Sequence, residues 1–223
     1  MLSVSSDWMK SYPGAHVGIL LMDEVANPDH HPELARRKAE LEADLRVLFK
    51  DQRDLKAIEP IRSYQQYYKR FKKTYHVMHQ LQSVVFKGKP IQSVTALVEA
   101  MFMAELRNML LTAGHDMAYV REPLRLDVAK GEESFTRING EVQVLKPGDM
   151  YITDAEGIIS SVLCGPDKRT MIRSSTRTAL FAVYAVAGVG RRALHQHLEG
   201  IEANVRIVAP NARTQRMEIF GES

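Results

Sequence analysis

The apolar residues of this chain change their spacing once, near residue 118, and that switch limits the architectures open to it. Ahead of it, hydrophobic side chains recur mostly every three or four residues; beyond it they alternate with polar ones. The first period lays one face of a helix against a core, and the second lays one face of a strand there. The order reads as a strand, several helices, a run of strands and a closing helix. Segregation of this kind is α+β, with helices packed on a mainly antiparallel or mixed β region.

Residues 15–22 form a continuous apolar run that suits a buried strand. Pro32 can open a helix because its missing N–H is not needed in the first turn, and Leu34, Leu41, Leu45 and Leu48 carry that helix to about residue 50. In IRSYQQYYKRFKKTYHVMHQL, Tyr64, Tyr68, Phe71 and Tyr75 share one face, while Lys69, Arg70, Lys72 and Lys73 lie mostly off it. Two readings stand side by side. The rings and cations could form a surface for RNA, or the rings could be core and the cations merely solvated. Residues 84–86 look like an apolar segment closed by Lys87-Gly88-Lys89-Pro90. Residues 93–111 read as a helix stopped at Thr112-Ala113-Gly114, with Gly114 taking a left-handed conformation at its end.

In the second half, Leu124, Leu126 and Val128 alternate with Arg125 and Asp127, and Asn139-Gly140 marks a hairpin. Strands are expected at 158–163 and 178–186, a helix at 191–205 and a last strand at 205–208. All 223 residues read as one domain, with the first 11 residues and the tail from about 211 expected to be loose.

Several functions are excluded. A lone cysteine, Cys164, rules out an intrachain disulfide and a multi-cysteine zinc cage, and it fits a reducing, cytoplasmic setting. His30-His31, His76 with His79, and His195 with His197 have no metal-ligand pattern around them, so no cofactor is expected. No Gly-x-Ser-x-Gly elbow exists. No apolar stretch approaches the ~20 residues of a membrane span. A net charge of +3 permits a nucleic acid partner without demanding one. What remains is a distributed polar set: His115, Asp116, Arg125, Glu132, Glu133, Asp154, and Asp167, Arg169 and Thr170 within CGPDKRTMIRSST. If the strands converge, these rim one cleft, where carboxylates accept from an amine or hydroxyl and Arg125 or Arg169 holds a carboxylate or phosphate. On composition alone they are equally a set of solvated turns.

The order of segments resembles the B3/B4 domain of the phenylalanyl-tRNA synthetase β subunit, in a free-standing form. The matching stretches are Tyr12-Pro13, IRSYQQYYKRFKK, KGKPIQSVTALVEAMFMAEL, Gly114-His115-Asp116, LRLDVAKGEESF, Tyr151-Ile152-Thr153-Asp154 and CGPDKRT, spanning residues 12–190. In the synthetase this is the editing module, which hydrolyses the ester of a wrongly charged tRNA, typically tyrosine on the phenylalanine tRNA. The resemblance implies a soluble hydrolase acting in trans, an aminoacyl-tRNA deacylase that meets its tRNA transiently and positions a water on the ester. Such chemistry needs oriented donors rather than a nucleophilic Cys or Ser.

On that resemblance His115 and Thr170 orient water, and Glu132, Glu133 and Asp167 read the amine or side chain. Asp116 and Asp154 complete the pocket, Arg125 and Arg169 steer the acceptor end, and Lys69, Arg70, Lys72 and Lys73 hold RNA. Two departures point away from tyrosine. Gly165-Pro166-Asp167 stands where the synthetase has Gly-Gly followed by Glu, and Met101-Phe102-Met103 stands where relatives often have an Asn-containing segment, with Phe102 and Met103 giving a more apolar wall. The alternative is a non-catalytic tRNA-, RNA- or amino-acid-binding module of the same fold.

Overall fold

The apolar run at residues 15–22 becomes β2 (His16–Asp23), an inner strand of one of two main sheets in this computed structural model, which describes residues 2–221. Its partners are β10 (Thr178–Ala185) on one side and β11 (Arg213–Phe220) on the other, and β3 (Thr112–Asp116) lies beyond β10; every pairing is antiparallel. The second sheet runs β1 (Leu2–Val4), β4 (Leu124–Val128), β7 (Met150–Thr153), β8 (Ile158–Ser161), β9 (Gly165–Pro166). Only β1 and β4 are parallel there. A hairpin of β5 (Ser134–Thr136) and β6 (Val142–Val144) turns at Asn139-Gly140, as its sequence predicts. Single bridges from His115 to Met171 and from Arg137 to Asp167 tie the 165–177 segment to β3 and to the hairpin.

Helices α1 (Ser6–Ser11), α2 (Pro32–Leu48), α3 (Gln52–Ala57), α4 (Glu59–Arg70), α5 (His76–Phe86), α6 (Ala96–Asn108) and α7 (Arg191–Val208) complete the α+β arrangement. Leu194, Leu198, Ile201 and Val205 give α7 one buried stripe. It can lie close to β2 because residue 18 is glycine: a Cβ there would stand 2.9 Å from Leu194 Cδ1 and 3.0 Å from Leu198 Cδ1.

The aromatic face of α4 belongs to the core. Tyr64, Tyr68, Phe71 and Tyr75 are all buried, and Tyr64 stacks on Tyr75 with ring centroids 4.3 Å apart. A buried tyrosine needs a partner for its hydroxyl, and each of these has one. Tyr64 donates to the carbonyl of Tyr184 in β10 and accepts from the Leu111 N–H at 3.0 Å. Tyr68 donates to the Val162 carbonyl at 2.7 Å, and Tyr75 to the Met109 carbonyl at 3.1 Å. Tyr67 joins them, donating to Asp149 Oδ1 at 2.7 Å and accepting from the Met150 N–H at 2.8 Å.

Several expectations are corrected. Residues 84–86 finish α5 rather than forming a separate segment. The helix expected at 93–111 ends at Met109, which has φ +60°; Gly114 lies inside β3, where a Cβ would sit 2.6 Å from Ile172 Cδ1. Residues 205–208 close α7, and the tail expected to be loose supplies β11. The N-terminus is likewise ordered: Ser5 caps α1 by accepting from Trp8 N at 3.0 Å, and Trp8 is 1% exposed.

Glu105 of α6 is buried and accepts from the Thr112 N–H at 2.7 Å. Burial pushes its carboxyl up from 4.5 to about 8. The folded chain therefore keeps a proton that the unfolded chain gives up, so this contribution is fully present below the unfolded pKa and is lost as pH rises towards the folded one. Asp149, pushed up by burial from 3.8 to about 6, acts with the same sign over a lower window. Below about pH 6.5 the buried, neutral His76, His115 and His197, all pulled down by burial, act with the opposite sign, so the fall is expected in the window from about pH 6.5 to about pH 8, where unfolding free energy from urea titration should drop by roughly 1 kcal/mol per pH unit. Glu105→Gln keeps a carbonyl for Thr112 and is expected to flatten the upper part of that fall; an unchanged slope would remove the assignment.

Candidate functional site

At one end of β3, three polar side chains from the predicted set form a relay. Thr170 donates its hydroxyl to Asp167 Oδ1, and the Thr170 N–H reaches the same oxygen at 3.0 Å. Thr170 Oγ1 also lies 2.8 Å from His115 Nδ1. Since the hydroxyl proton points to the carboxylate, the proton in the second bond is the one on His115 Nδ1. That choice of tautomer leaves Nε2 a bare acceptor, and it is buried without a hydrogen-bond partner among the described residues. Burial pulls the imidazole down from 6.5 to about 3, so the ring is neutral. Both His115 and Thr170 are 0% exposed.

Asp154 and Arg169 meet beside this relay in a two-pronged ion pair of 2.8 and 2.9 Å. Burial alone would raise the Asp154 carboxyl, but Arg169 and the N–H groups of Arg121 and Glu156 hold it below its ordinary range. Asp116 accepts from Thr176 Oγ1 at 2.8 Å and from the Ala118 N–H at 3.0 Å, while its own N–H donates to the Thr170 carbonyl at 2.7 Å. These six predicted residues thus gather in one region, with their polar atoms largely spent on one another. Three do not join them. Arg125 is exposed and pairs with Asp127 at 3.0 Å, Glu132 is exposed, and Glu133 folds its own loop by accepting from the N–H groups of Lys130, Gly131 and Glu132.

The second feature is the polar side of α4. Arg62, Gln65, Gln66, Lys69 and Lys73 line an open hollow of about 440 Å³, with Thr74 and Tyr75 at its end. Arg62, Gln66 and Lys69 fall at i, i+4 and i+7, a stripe on α4 opposite the buried tyrosines, and Lys73, just past the turn that ends the helix, lines the same hollow. Arg62, Lys69 and Lys73 are exposed, and none lies within ion-pair distance of a carboxylate among the described residues. Arginines elsewhere on the surface are commonly neutralised: Arg36 by Glu33 and Glu40, Arg206 by Glu202, Arg213 by Asp23 and Glu24. Of the predicted RNA contacts, Lys69 and Lys73 line the hollow. Arg70 instead lies 5.3 to 5.8 Å from the rings of Tyr12, Tyr67 and Phe71, and Lys72 is exposed in a turn at φ +55°. Arg62, Gln65 and Gln66 were not among the predicted contacts, although stepping back from Lys69 by helical turns finds them.

Thr170→Val would remove the hydroxyl that joins Asp167 to His115 and leave both polar groups buried and short of a partner. A loss of about 2 kcal/mol is expected, with most of it restored by Thr170→Ser. Denaturant titration of the two variants checks this, and equal stability of the Val variant and the parent would dismiss the relay.

Among curated protein sequences nothing matches this chain. Among solved structures, one that is similar is an N-terminal fragment of the phenylalanyl-tRNA synthetase β-subunit from Pyrococcus horikoshii, at 10% identity and a TM-score of 0.49. The alignment covers 98% of this chain but 50% of that fragment, so the chain spans about half its length. The family model for the B3/4 domain matches residues 62–207, from the first cation of the α4 hollow to the end of α7, and takes in the whole relay. The chain belongs to the B3/4 domain family.

Proposed function

We propose that this protein binds the acceptor end of a tRNA, with the exposed side of α4 as the surface that takes its phosphates. The observation that carries the reading is the set of Arg62, Lys69 and Lys73 along a hollow of about 440 Å³, three exposed cations with no carboxylate within ion-pair distance among the described residues. Phosphates release counterions when they meet such a stripe, so binding of this kind is salt-dependent and largely indifferent to sequence. Membership of the B3/4 family, in a chain whose motif order resembles the synthetase editing module, supports tRNA over other anionic polymers.

Fluorescence anisotropy with a labelled tRNA across a salt series tests the reading. The parent is expected to bind with a steep negative dependence on salt. Replacing Arg62, Lys69 and Lys73 together by Ala should weaken binding at least roughly tenfold and flatten the log–log slope by about two to three. A triple variant that matches the parent in affinity and slope would end the proposal.

Hydrolysis of the aminoacyl ester is a second reading, favoured by the Asp167–Thr170–His115 relay and its bare Nε2 acceptor. On this reading the 165–177 segment opens to let water reach His115, which accepts a proton as the water attacks. Release of amino acid from a panel of correctly and incorrectly charged tRNAs, abolished by His115→Ala, is its expected signature. No release above the spontaneous rate from any member would leave binding alone.

A further inference from the structure

The hairpin of β5 and β6 carries apolar side chains on its outside. Val142 is 73% exposed and Val144 51%, and Ile138 in the turn between the strands is 50% exposed. Strand alternation accounts for the valines. Phe135, paired with Gln143, is buried with Ala129, Leu145, Tyr151 and Ile158, so residues 142 and 144 belong to the outer face. β6 is also an open edge. Main-chain bonds at the two ends of the hairpin, from the Arg137 N–H to the Glu141 carbonyl at 2.9 Å and from the Leu145 N–H to the Glu133 carbonyl at 2.8 Å, set the phase of the ladder. Residues 141, 143 and 145 therefore turn their main-chain groups towards β5, and those of Val142 and Val144 point away from it. No other strand pairs with β6 among the described residues. What reaches this edge is one side-chain amide, Gln143 Nε2, donating to the Val144 carbonyl at 2.6 Å.

An open edge bearing β-branched side chains is a template for another strand. Two properties of β6 match it to a copy of itself. Val142-Gln143-Val144 reads the same in both directions. Two such strands laid antiparallel about Gln143 bring Val142 of each opposite Val144 of the other, each pair exchanging both N–H···O bonds and the valines forming one face. Charge is the second property. Glu141 opens the strand with no cation within ion-pair distance among the described residues, and Lys146 follows its end. Antiparallel pairing sets the start of one strand beside the end of the other, so Glu141 of each copy meets Lys146 of the second. Lys146 spends one N–H on the Phe71 carbonyl at 2.7 Å and keeps the rest of its ammonium donors. A third observation limits the assembly. On the far side of the hairpin the Lys168 N–H donates to the Thr136 carbonyl at 2.9 Å and Arg137 bridges Asp167, so β5 offers no second edge and growth stops at two copies.

We infer that two copies of this chain associate through β6, edge to edge and antiparallel about Gln143, so that two hairpins become one continuous sheet. The edge is held ready for this. Phe135 anchors the hairpin from beneath, Lys168 and Asp167 hold β5, and Lys146 ties the end of β6 to the Phe71 carbonyl past α4. Little ordering is therefore left for association to impose. A strand this short buries less than the roughly 1,200 Å² of a standard interface, so the dimer is reversible, with a Kd on the order of 10 μM. It draws on no side chain of the α4 hollow, and it stands whether or not that surface binds tRNA.

The test is sedimentation velocity of the full chain over a concentration series, joined to amide hydrogen exchange at its two ends. The parent is expected to pass from monomer to dimer across the series, and the N–H groups of Val142 and Val144 should gain protection only where the dimer is populated. Val142→Lys with Val144→Lys, both at exposed positions, puts like charges opposite one another and should weaken association at least roughly tenfold while the urea midpoint stays near that of the parent. A charge exchange keeps the test independent of any damage to the hairpin. Glu141→Lys alone and Lys146→Glu alone each set like charges side by side and should associate worse than the parent. An equal mixture of those two variants restores both pairs and should regain most of the parent's affinity. A chain that stays monomeric at every concentration overturns the proposal. So does a dimer that leaves Val142 and Val144 unprotected or ignores the double lysine variant, and so does a mixture that associates no better than its components.

Discussion

Everything in this fold depends on how one helix is fastened between two sheets. α4 sends Tyr64 to β10, Tyr67 to the start of β7 and Tyr68 to the carbonyl just after β8, each through a phenolic hydroxyl. An aromatic ring alone would bury surface without specifying an angle or a height. The hydroxyl adds the specification, because a tyrosine that misses its acceptor leaves a polar group unsatisfied in the core. Tyr64 bears most of this, giving to one strand and receiving from the Leu111 N–H that leads into β3. The position of β3, and of His115 upon it, is therefore set partly by a residue of a different element some fifty positions earlier.

Committing one side of α4 to the core leaves its other side free to be wholly polar, and the two roles do not compete. The relay under β3 is built on the opposite principle, with Asp167, Thr170, His115, Asp154 and Arg169 spending most of their hydrogen-bonding capacity on one another and on nearby backbone. Such a network is costly if any member goes unsatisfied, which makes the bare Nε2 of His115 its one exception. The protein thus presents two kinds of polar group: one solvated and unneutralised at the surface, the other buried and nearly complete.

What the sequence discloses follows the range of the interactions concerned. The change of period near residue 118, the hairpin at Asn139-Gly140 and the buried strand at β2 are local patterns, and each is legible. The two readings of the α4 tyrosines could not be separated locally, because the acceptors that decide the matter lie at Asp149, Val162 and Tyr184. Gly114 looks like a helix stop, yet its lack of a side chain serves the approach of Ile172, and no neighbouring residue announces that contact. β1 was invisible for a related reason: three residues carry no period, and they pair with β4 more than a hundred positions away. At the site, His115, Asp167 and Thr170 do meet, but as a buried network rather than as the rim of the expected cleft, because the bonds that close it run between segments some fifty positions apart. Glu133 was misplaced because its partners are the N–H groups of its own turn, a use of carboxylate that looks like any other acid in sequence.

The net charge of +3 says little about where a polyanion would meet this molecule, since most of the arginines that could attract one are matched by acids. Helix stability explains part of the basic stripe on α4: Lys69 and Arg70 occupy its last turn, where the helix dipole favours cations, and Lys146 donates to the Phe71 carbonyl at 2.7 Å. It does not explain Arg62. That residue is the fourth of α4, close to the end where the dipole favours an acid, yet its side chain joins Lys69 and Lys73 around the same hollow. No side-chain contact among the described residues accounts for Arg62 there, and on the proposed reading it would meet the same anion as Lys69 and Lys73.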